Sequence, residues 1–282
     1  MPVIDFHLHI TSYEGYRQSV VELVERAQGI DLNTFLARDM TPEGLTRILR
    51  ASGVDYGVGL AEYNPMVSGV SSNEFVADFC QRTDRLIPFA GVNPYLMANP
   101  ARELEKAVRE LGCRGVKLFP TYQHFYPNEN NIYPIYAKAE ELGIPVMLHT
   151  GSSVFKGTKL KYGDPLFLDD VAVDFPNLTI VQAHSGRGFW YDRAFFLTRL
   201  HQNVYMEISG LPPQSVLRHF PDLERVADRV IFGSDWPAIA SIGKNIEAIR
   251  QLPLNESTKK KILGENAARI LRLPLIPEGV GG

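Results

Sequence analysis

The sequence predicts an α/β protein, a (β/α)8 TIM barrel, and three observations carry that reading. Eight short β-rich runs recur along the chain, each followed by a segment of helical pattern. Most of these runs are apolar without clean alternation, as parallel strands covered by helices are. The length, 282 residues, suits one barrel, which commonly takes about 250 residues. An open doubly wound sheet is the rival, but it usually has fewer strands and often a glycine-rich phosphate turn. No GxGxxG or Walker A pattern occurs.

The elements follow in order. "VIDFHLHI" at 3–10 is the first strand. "VDYGVGL" (54–60) precedes a helix near 72–82. "LIPFAGV" (86–92) precedes a helix over 100–112, which begins with Pro and ends with Gly as helices often do. "CRGVKLFP" (113–120) leads to 131–143, and "IPVMLHTG" (144–151) to 165–175. "NLTIVQAHSG" (177–186) leads to 189–200, "NVYMEISG" (203–210) to 213–220, and "DRVIFGSDWP" (228–237) to a helix near 243–251.

Two segments fall outside this repeat. The connection 10–41 is long, carries Tyr13, Tyr16 and Phe35, and contains the helical stretch "SVVELVERA". It follows the first strand, so it is expected on the C-terminal face of the barrel, as a lid or as the contact of a homodimer. The tail 257–271 reads as an amphipathic helix interrupted at Gly264 and packed on the barrel exterior. With no low-complexity stretch or linker, 1–282 is expected to be one domain.

Composition narrows the function. The chain is 45% hydrophobic and 22% charged, and its net charge of −3 comes from well-mixed acids and bases. That offers no electrostatic case for nucleic acid or an anionic membrane surface. No apolar run approaches the roughly 20 residues of a membrane helix. The first residues show no basic region followed by an apolar stretch and a cleavage site. Cys80 and Cys113 lack metal-site spacing and read as core thiols of a reducing compartment. A cytoplasmic protein is expected.

The chemistry gathers at strand ends. Strand alternation puts residues i and i+2 on one face, so His7 and His9 project together, about 6–7 Å apart along the strand. His149 ends the fifth strand in "VMLHTG" and His184 ends the sixth in "AHSG". Asp235 closes the eighth in "IFGSDWP". In a barrel these C-terminal ends converge on one site. Four imidazoles and a carboxylate brought together there make a metal centre. His201 and His219 sit in or beside helices and read as structural.

"DFHLH", "RGVKLFP", "GIPVMLHTG", "AHSG", "IFGSDWP" and "ILGENAARIL" together resemble the amidohydrolase superfamily over nearly the whole chain. "AHSG" with "GSDWP" narrows the resemblance to the branch with aminocarboxymuconate-semialdehyde decarboxylase, γ-resorcylate decarboxylase and small-ring lactonases. The resemblance implies one divalent ion, usually zinc with manganese as the second candidate, held by His7, His9, His149 and Asp235. It also implies a water at the open position, with His184 beside it as acid/base or oxyanion stabiliser. Nitrogen and carboxylate donors plus one exchangeable position agree with catalytic zinc.

Lys117, in the fourth strand, has three readings. Binuclear relatives carry a carboxylated lysine there; alternatively it pairs with an acid such as Glu207, or binds a substrate carboxylate. Loop residues Tyr122, His124 and Tyr126 are expected above the rim, with Arg187 from "AHSGRG" as a fork for a carboxylate. Trp236 reads as an apolar wall or core contact beside Asp235. The substrate-binding candidates are therefore Lys117, His124 and Arg187, for a small molecule carrying a carboxylate.

Three functions compete. The first is a metal-dependent hydrolase that turns an activated water on a small lactone, amide or carboxylated ring compound, with Asp235 shuttling the proton. The second is a non-oxidative decarboxylase of an aromatic or dienoic acid on the same ligands, with Asp235 or His184 supplying a proton to carbon. The third is a non-catalytic metal-binding barrel.

Overall fold

The structure, a computed structural model, describes residues 2–273. Eight parallel strands form one barrel in sequence order. They are β1 (Ile4–His9), β2 (Tyr56–Leu60), β3 (Leu86–Gly91), β4 (Val116–Leu118), β5 (Val146–Gly151), β6 (Ile180–Arg187), β7 (Val204–Glu207) and β8 (Val230–Ile231). The sheet closes onto itself beyond β8. Leu8 bridges Trp236 in parallel sense, and His9 N donates to Trp236 O at 2.9 Å.

β8 is shorter than the apolar run 228–237 suggests. Arg229 still belongs to a 3-10 helix (Leu223–Arg229), and after Ile231 the backbone leaves the ladder. Phe232 N donates to Ile262 O instead, at 2.9 Å. The helices fall where their periodicity places them, at Asn73–Gln81, Pro100–Arg109, Tyr133–Leu142, Leu168–Asp174, Tyr191–Leu200, Val216–His219 and Ile242–Arg250. Asn99 caps one of them, accepting from Arg102 N at 3.0 Å. Among the described residues no helix is long and apolar enough to cross a membrane.

An irregularity in β1 sets the phase of the site. Between Asp5 and Leu8 the strand advances three residues while β2 advances two, from Gly57 to Gly59. Such a bulge re-aims side chains. Ile4 and Phe6 join a buried cluster with Val58, Phe89, Met147 and Val181, and the Phe6 and Phe89 rings meet edge-on at 5.4 Å. Beyond the bulge Leu8 packs with the outer core, while His7 and His9 line a cavity.

The tail corrects two expectations. Gly264 does not interrupt it; the helix runs from Glu256 to Ile270 with one π-helical turn at Lys261–Glu265. Nor does it lie wholly on the exterior. Ala267, Ala268 and Leu271 enter the same cluster as Ile4 and Phe6. Burying that end of the barrel leaves the opposite end for chemistry.

The first connection folds as helices α1 (Gln18–Gln28) and α2 (Leu32–Arg38), followed by α3 (Pro42–Ala51). Phe35 of α2 is fully buried, 5.6 Å from the Trp236 ring. Gln28 donates to the carbonyls of Pro237 and Ile239, both at 2.8 Å, tying α1 to the loop after β8.

Candidate active site

The C-terminal strand ends surround a cavity of about 250 Å³. His7, His9, His149, His184, Arg187 and Asp235 all line it, and α1 covers it with Val20, Leu23 and Val24. Tyr13, Tyr16, Phe119, Tyr122 and Phe155 add aromatic wall.

Two donor sets gather there. One ligand atom each from His7, His9 and Asp235 lie within 4.8 Å of one another. His7 Nε2 is 3.4 Å and His9 Nε2 is 3.1 Å from the same oxygen, Asp235 Oδ1. His149 lies outside this set: its ring centroid is 4.7 Å from that of His184, and its Nε2 is 3.3 Å from Ser152 O. His7, His184 and Glu207 form a second set within 4.8 Å, all three buried. There Ser209 Oγ contacts the Nδ1 atoms of both histidines, each at 3.0 Å, and donates to Glu207 Oε2 at 2.9 Å.

The surroundings of His7 test whether a cation fits. Its Nδ1 lies 3.1 Å from the Glu207 carboxylate, an arrangement that favours the ring proton on Nδ1. Nε2 is then a buried lone pair with no hydrogen bond, facing Asp235 Oδ1. Burial, reinforced by Lys117, holds the His7 pKa well below its ordinary value. Two electron-rich atoms held this way, with a further imidazole nitrogen beside them, suit a divalent cation. The site fits the metal.

Electrostatics separate the remaining groups. Burial would raise Asp235, but His7, His9 and His184 outweigh it and hold the carboxyl well below the usual range. Burial would lower His9, but Asp235 and Glu62 raise it on balance. Burial and then Arg187 push His184 down. Asp235 and His184 also share a backbone feature, with φ of 66° and 64°, and Ser185 follows at 47°. Left-handed backbone at non-glycine residues costs of order 1–3 kcal/mol each and clusters at active sites.

The substrate candidates divide. Arg187 lines the cavity, 3.9 Å from Asp235 Oδ2, with its guanidinium also donating to Ser152 O at 3.0 Å. Lys117 and His124 are not among the lining residues. Lys117 is fully buried, and its Nζ makes no hydrogen bond and sits 5.2 Å over the Phe119 ring. Lys117 makes no hydrogen bond to Glu207, whose oxygens take His7, Ser209 and the His184 backbone N–H. Burial lowers the Lys117 pKa to about 8 and raises that of Glu207 to about 7, each opposed by the other's charge. His124 is held by Gly157 O at 2.8 Å, and Tyr126 packs on Tyr162 and Phe167. Trp236 is a core residue, 2% exposed, and Pro237 rather than Trp236 reaches the cavity. His201 and His219 are structural, the first on Asp169 at 2.6 Å and the second stacked on Tyr191 at 4.1 Å.

Two lining or supporting groups escape sequence reasoning. Ser209 is the third residue of "EISG" at the end of β7, where its backbone N–H also reaches Glu207 Oε1 at 2.7 Å. Glu62 follows β2 and lines the cavity 3.8 Å from His9 Nδ1. The one available signal for Glu62 was its place at a strand's C-terminal end, in "GLAEY".

A family model described as Amidohydrolase matches residues 4–273. Among curated proteins the chain is 24% identical to gamma-resorcylate decarboxylase of Rhizobium sp. (strain MTP-10005), over 72% of this chain and 75% of that one. It is 23% identical to 2-keto-4-carboxy-3-hexenedioate hydratase of Sphingobium sp. (strain NBRC 103272 / SYK-6), over 83% of each. Its fold is similar to that of 5-carboxyvanillate decarboxylase from Novosphingobium aromaticivorans, solved with manganese and 4-hydroxy-3-methoxy-5-nitrobenzoic acid. The TM-score is 0.68 at 18% identity, covering 96% of both chains.

Proposed function

Because the chain belongs to the amidohydrolase family, we propose that it is a metal-dependent, non-oxidative decarboxylase of a small ring acid. One observation carries the choice: Arg187 stands beside Asp235 in an aromatic-walled cavity. A guanidinium fork next to a carboxyl group, with flat apolar walls around them, supports binding of a ring acid. The curated relatives supply independent support, since gamma-resorcylate decarboxylase is named for removing a carboxyl group.

His7, His9 and Asp235 would hold one divalent ion, zinc or manganese, with His149 completing the set. When bound, the ion supplies a Lewis acid that polarises substrate oxygens and offsets negative charge. The chain's own groups do the rest. Tyr122, Phe119 and Phe155 confine the ring, and α1 excludes water above it. Arg187 pairs with the carboxylate of the substrate. Asp235, whose carboxyl is held below the usual range, carries a proton only in passing, from solvent to the ring carbon that bears the carboxylate. The C–C bond then breaks, its electron pair restores the aromatic ring, and CO2 leaves; solvent returns a proton to Asp235. His184, with Nδ1 engaged by Ser209, has Nε2 left for proton exchange.

The test is an assay of metal-loaded protein against hydroxybenzoates, carboxyvanillate-type acids, lactones and amides, with CO2 evolution measured. CO2 release from a ring acid is the expected result. Turnover of lactones or amides with no CO2 from any acid would favour the hydrolytic reading.

A further inference from the structure

A buried carboxylate stands behind the Nδ1 atom of each histidine in the "HLH" pair. For His7 it is Glu207; for His9 it is Glu62. Glu62 opens a two-stranded hairpin (Glu62–Tyr63 with Val70–Ser71) just beyond β2. Its side chain is 6% exposed and takes hydrogen bonds from three neutral donors. Tyr16 Oη reaches Oε1 at 2.7 Å, while Asn64 Nδ2 and Ser68 Oγ reach Oε2, each at 2.9 Å. Among the described residues, the ion pair Glu62 makes within 4.0 Å is with His9. Neutral donors hold the carboxylate still without cancelling its charge, and one oxygen faces the His9 ring.

Tyr16 extends this arrangement into the first connection. Its ring lies so close on Gly69 that a Cβ at that position would overlap it. The segment leading into α1 is therefore pinned to the hairpin at Gly69 and to Glu62 by the phenol.

We infer that Glu62 is a positioning residue for the metal centre: its carboxylate, 3.8 Å from His9 Nδ1, orients that ring by charge, and Tyr16 fixes it to the segment that roofs the cavity. The inference rests on the reading of His9 as a metal ligand. Once an ion takes the Nε2 lone pair, the one ring proton of a neutral His9 sits on Nδ1, and a carboxylate behind that atom favours this tautomer. The other tautomer spends Nε2–H on Asp235 and must lose it before an ion binds. Outer carboxylates of this kind commonly carry a 10–100-fold effect on metal affinity, which sets the order of magnitude expected here.

The experiment titrates metal-free, full-length protein with cobalt(II), read by visible absorption, and with zinc by competition against a chromophoric chelator. Glu62→Gln should weaken both metals about 10–100-fold and shift the cobalt spectrum while thermal unfolding changes little. Tyr16→Phe should act in the same direction and less. His9→Ala is the control and should abolish tight binding. Wild-type affinity in His9→Ala would remove the ligand reading itself. Loss of binding in His9→Ala, with wild-type affinity and spectrum in Glu62→Gln, would overturn the positioning role alone. Should Glu62→Gln fail to fold, Tyr16→Phe decides, and unaltered cobalt affinity and spectrum in that variant would overturn the inference.

Discussion

His9 Nε2 lies 3.1 Å from Asp235 Oδ1, a contact between residues 226 positions apart that spans the seam where the barrel closes. The backbone on both sides of the seam is locked. Asp235 N donates to His7 O at 3.0 Å, and His9 N donates to Trp236 O at 2.9 Å. The contacts that close the barrel are thus the ones that bring His9 and Asp235 together. Asp235→Asn keeps the shape and removes the charge, so folding should stay near native. Metal binding should weaken and turnover fall at least about 100-fold. Near-native turnover in steady-state assays of this variant would leave Asp235 without its role.

His184→Asn tests a different group. His184 sits among Ser209, His7 and His149 and belongs to the donor set with His7 and Glu207, not to the one with His9 and Asp235. The variant should keep its metal and lose about 10²–10⁴ in turnover, the range for an acid/base group. Metal analysis of the purified variant checks this, and an empty site would make His184 a ligand.

Arg187→Met removes the fork beside Asp235. Hydrogen bonds to charged groups are worth about 1.5–3 kcal/mol, or roughly 10–100-fold. KM for a carboxylated substrate should rise by that factor, with kcat affected less. An unchanged KM would place the substrate carboxylate elsewhere.

Much of this site was legible because barrels sort chemistry to strand ends. His7, His9, His149, His184 and Asp235 are each read from "VIDFHLHI", "VMLHTG", "AHSG" and "GSDWP", and the fold brings all five to one cavity. The bulge after Asp5 was not legible, since it lies in backbone register rather than residue type. Lys117, read from its place in the fourth strand, lies buried over Phe119, and His124, read from the loop after it, bonds Gly157 O; neither is among the residues that line the cavity. Glu62 escaped because its meaning depends on a short hairpin that no periodicity announces.

Gly264 offers a stability test remote from the cavity. A Cβ there would overlap the Pro2 carbonyl oxygen, and backbone cannot yield as a side chain can. Gly264→Ala should cost about 1–3 kcal/mol, read as a lower denaturation midpoint with unchanged metal content of the folded fraction. An unshifted midpoint would mean the tail packs less tightly against β1 than described.

The segment 18–38 should respond to ligand. Val20, Leu23 and Val24 of α1 line the cavity, and Gln28 bonds the loop after β8. Amide exchange in α1 should slow when a nitro-substituted hydroxybenzoate occupies the site. Identical exchange with and without that analogue would make the segment a static cover.

The most direct test of the central claim is the fate of solvent hydrogen in the reaction of a carboxyl-13C hydroxybenzoate in D2O. Mass and NMR spectra should show one 13CO2 released per turnover and one deuterium at the vacated ring carbon, with both lost together in Asp235→Asn. Products of ring-acid turnover that retain the 13C label and carry no ring deuterium would contradict it.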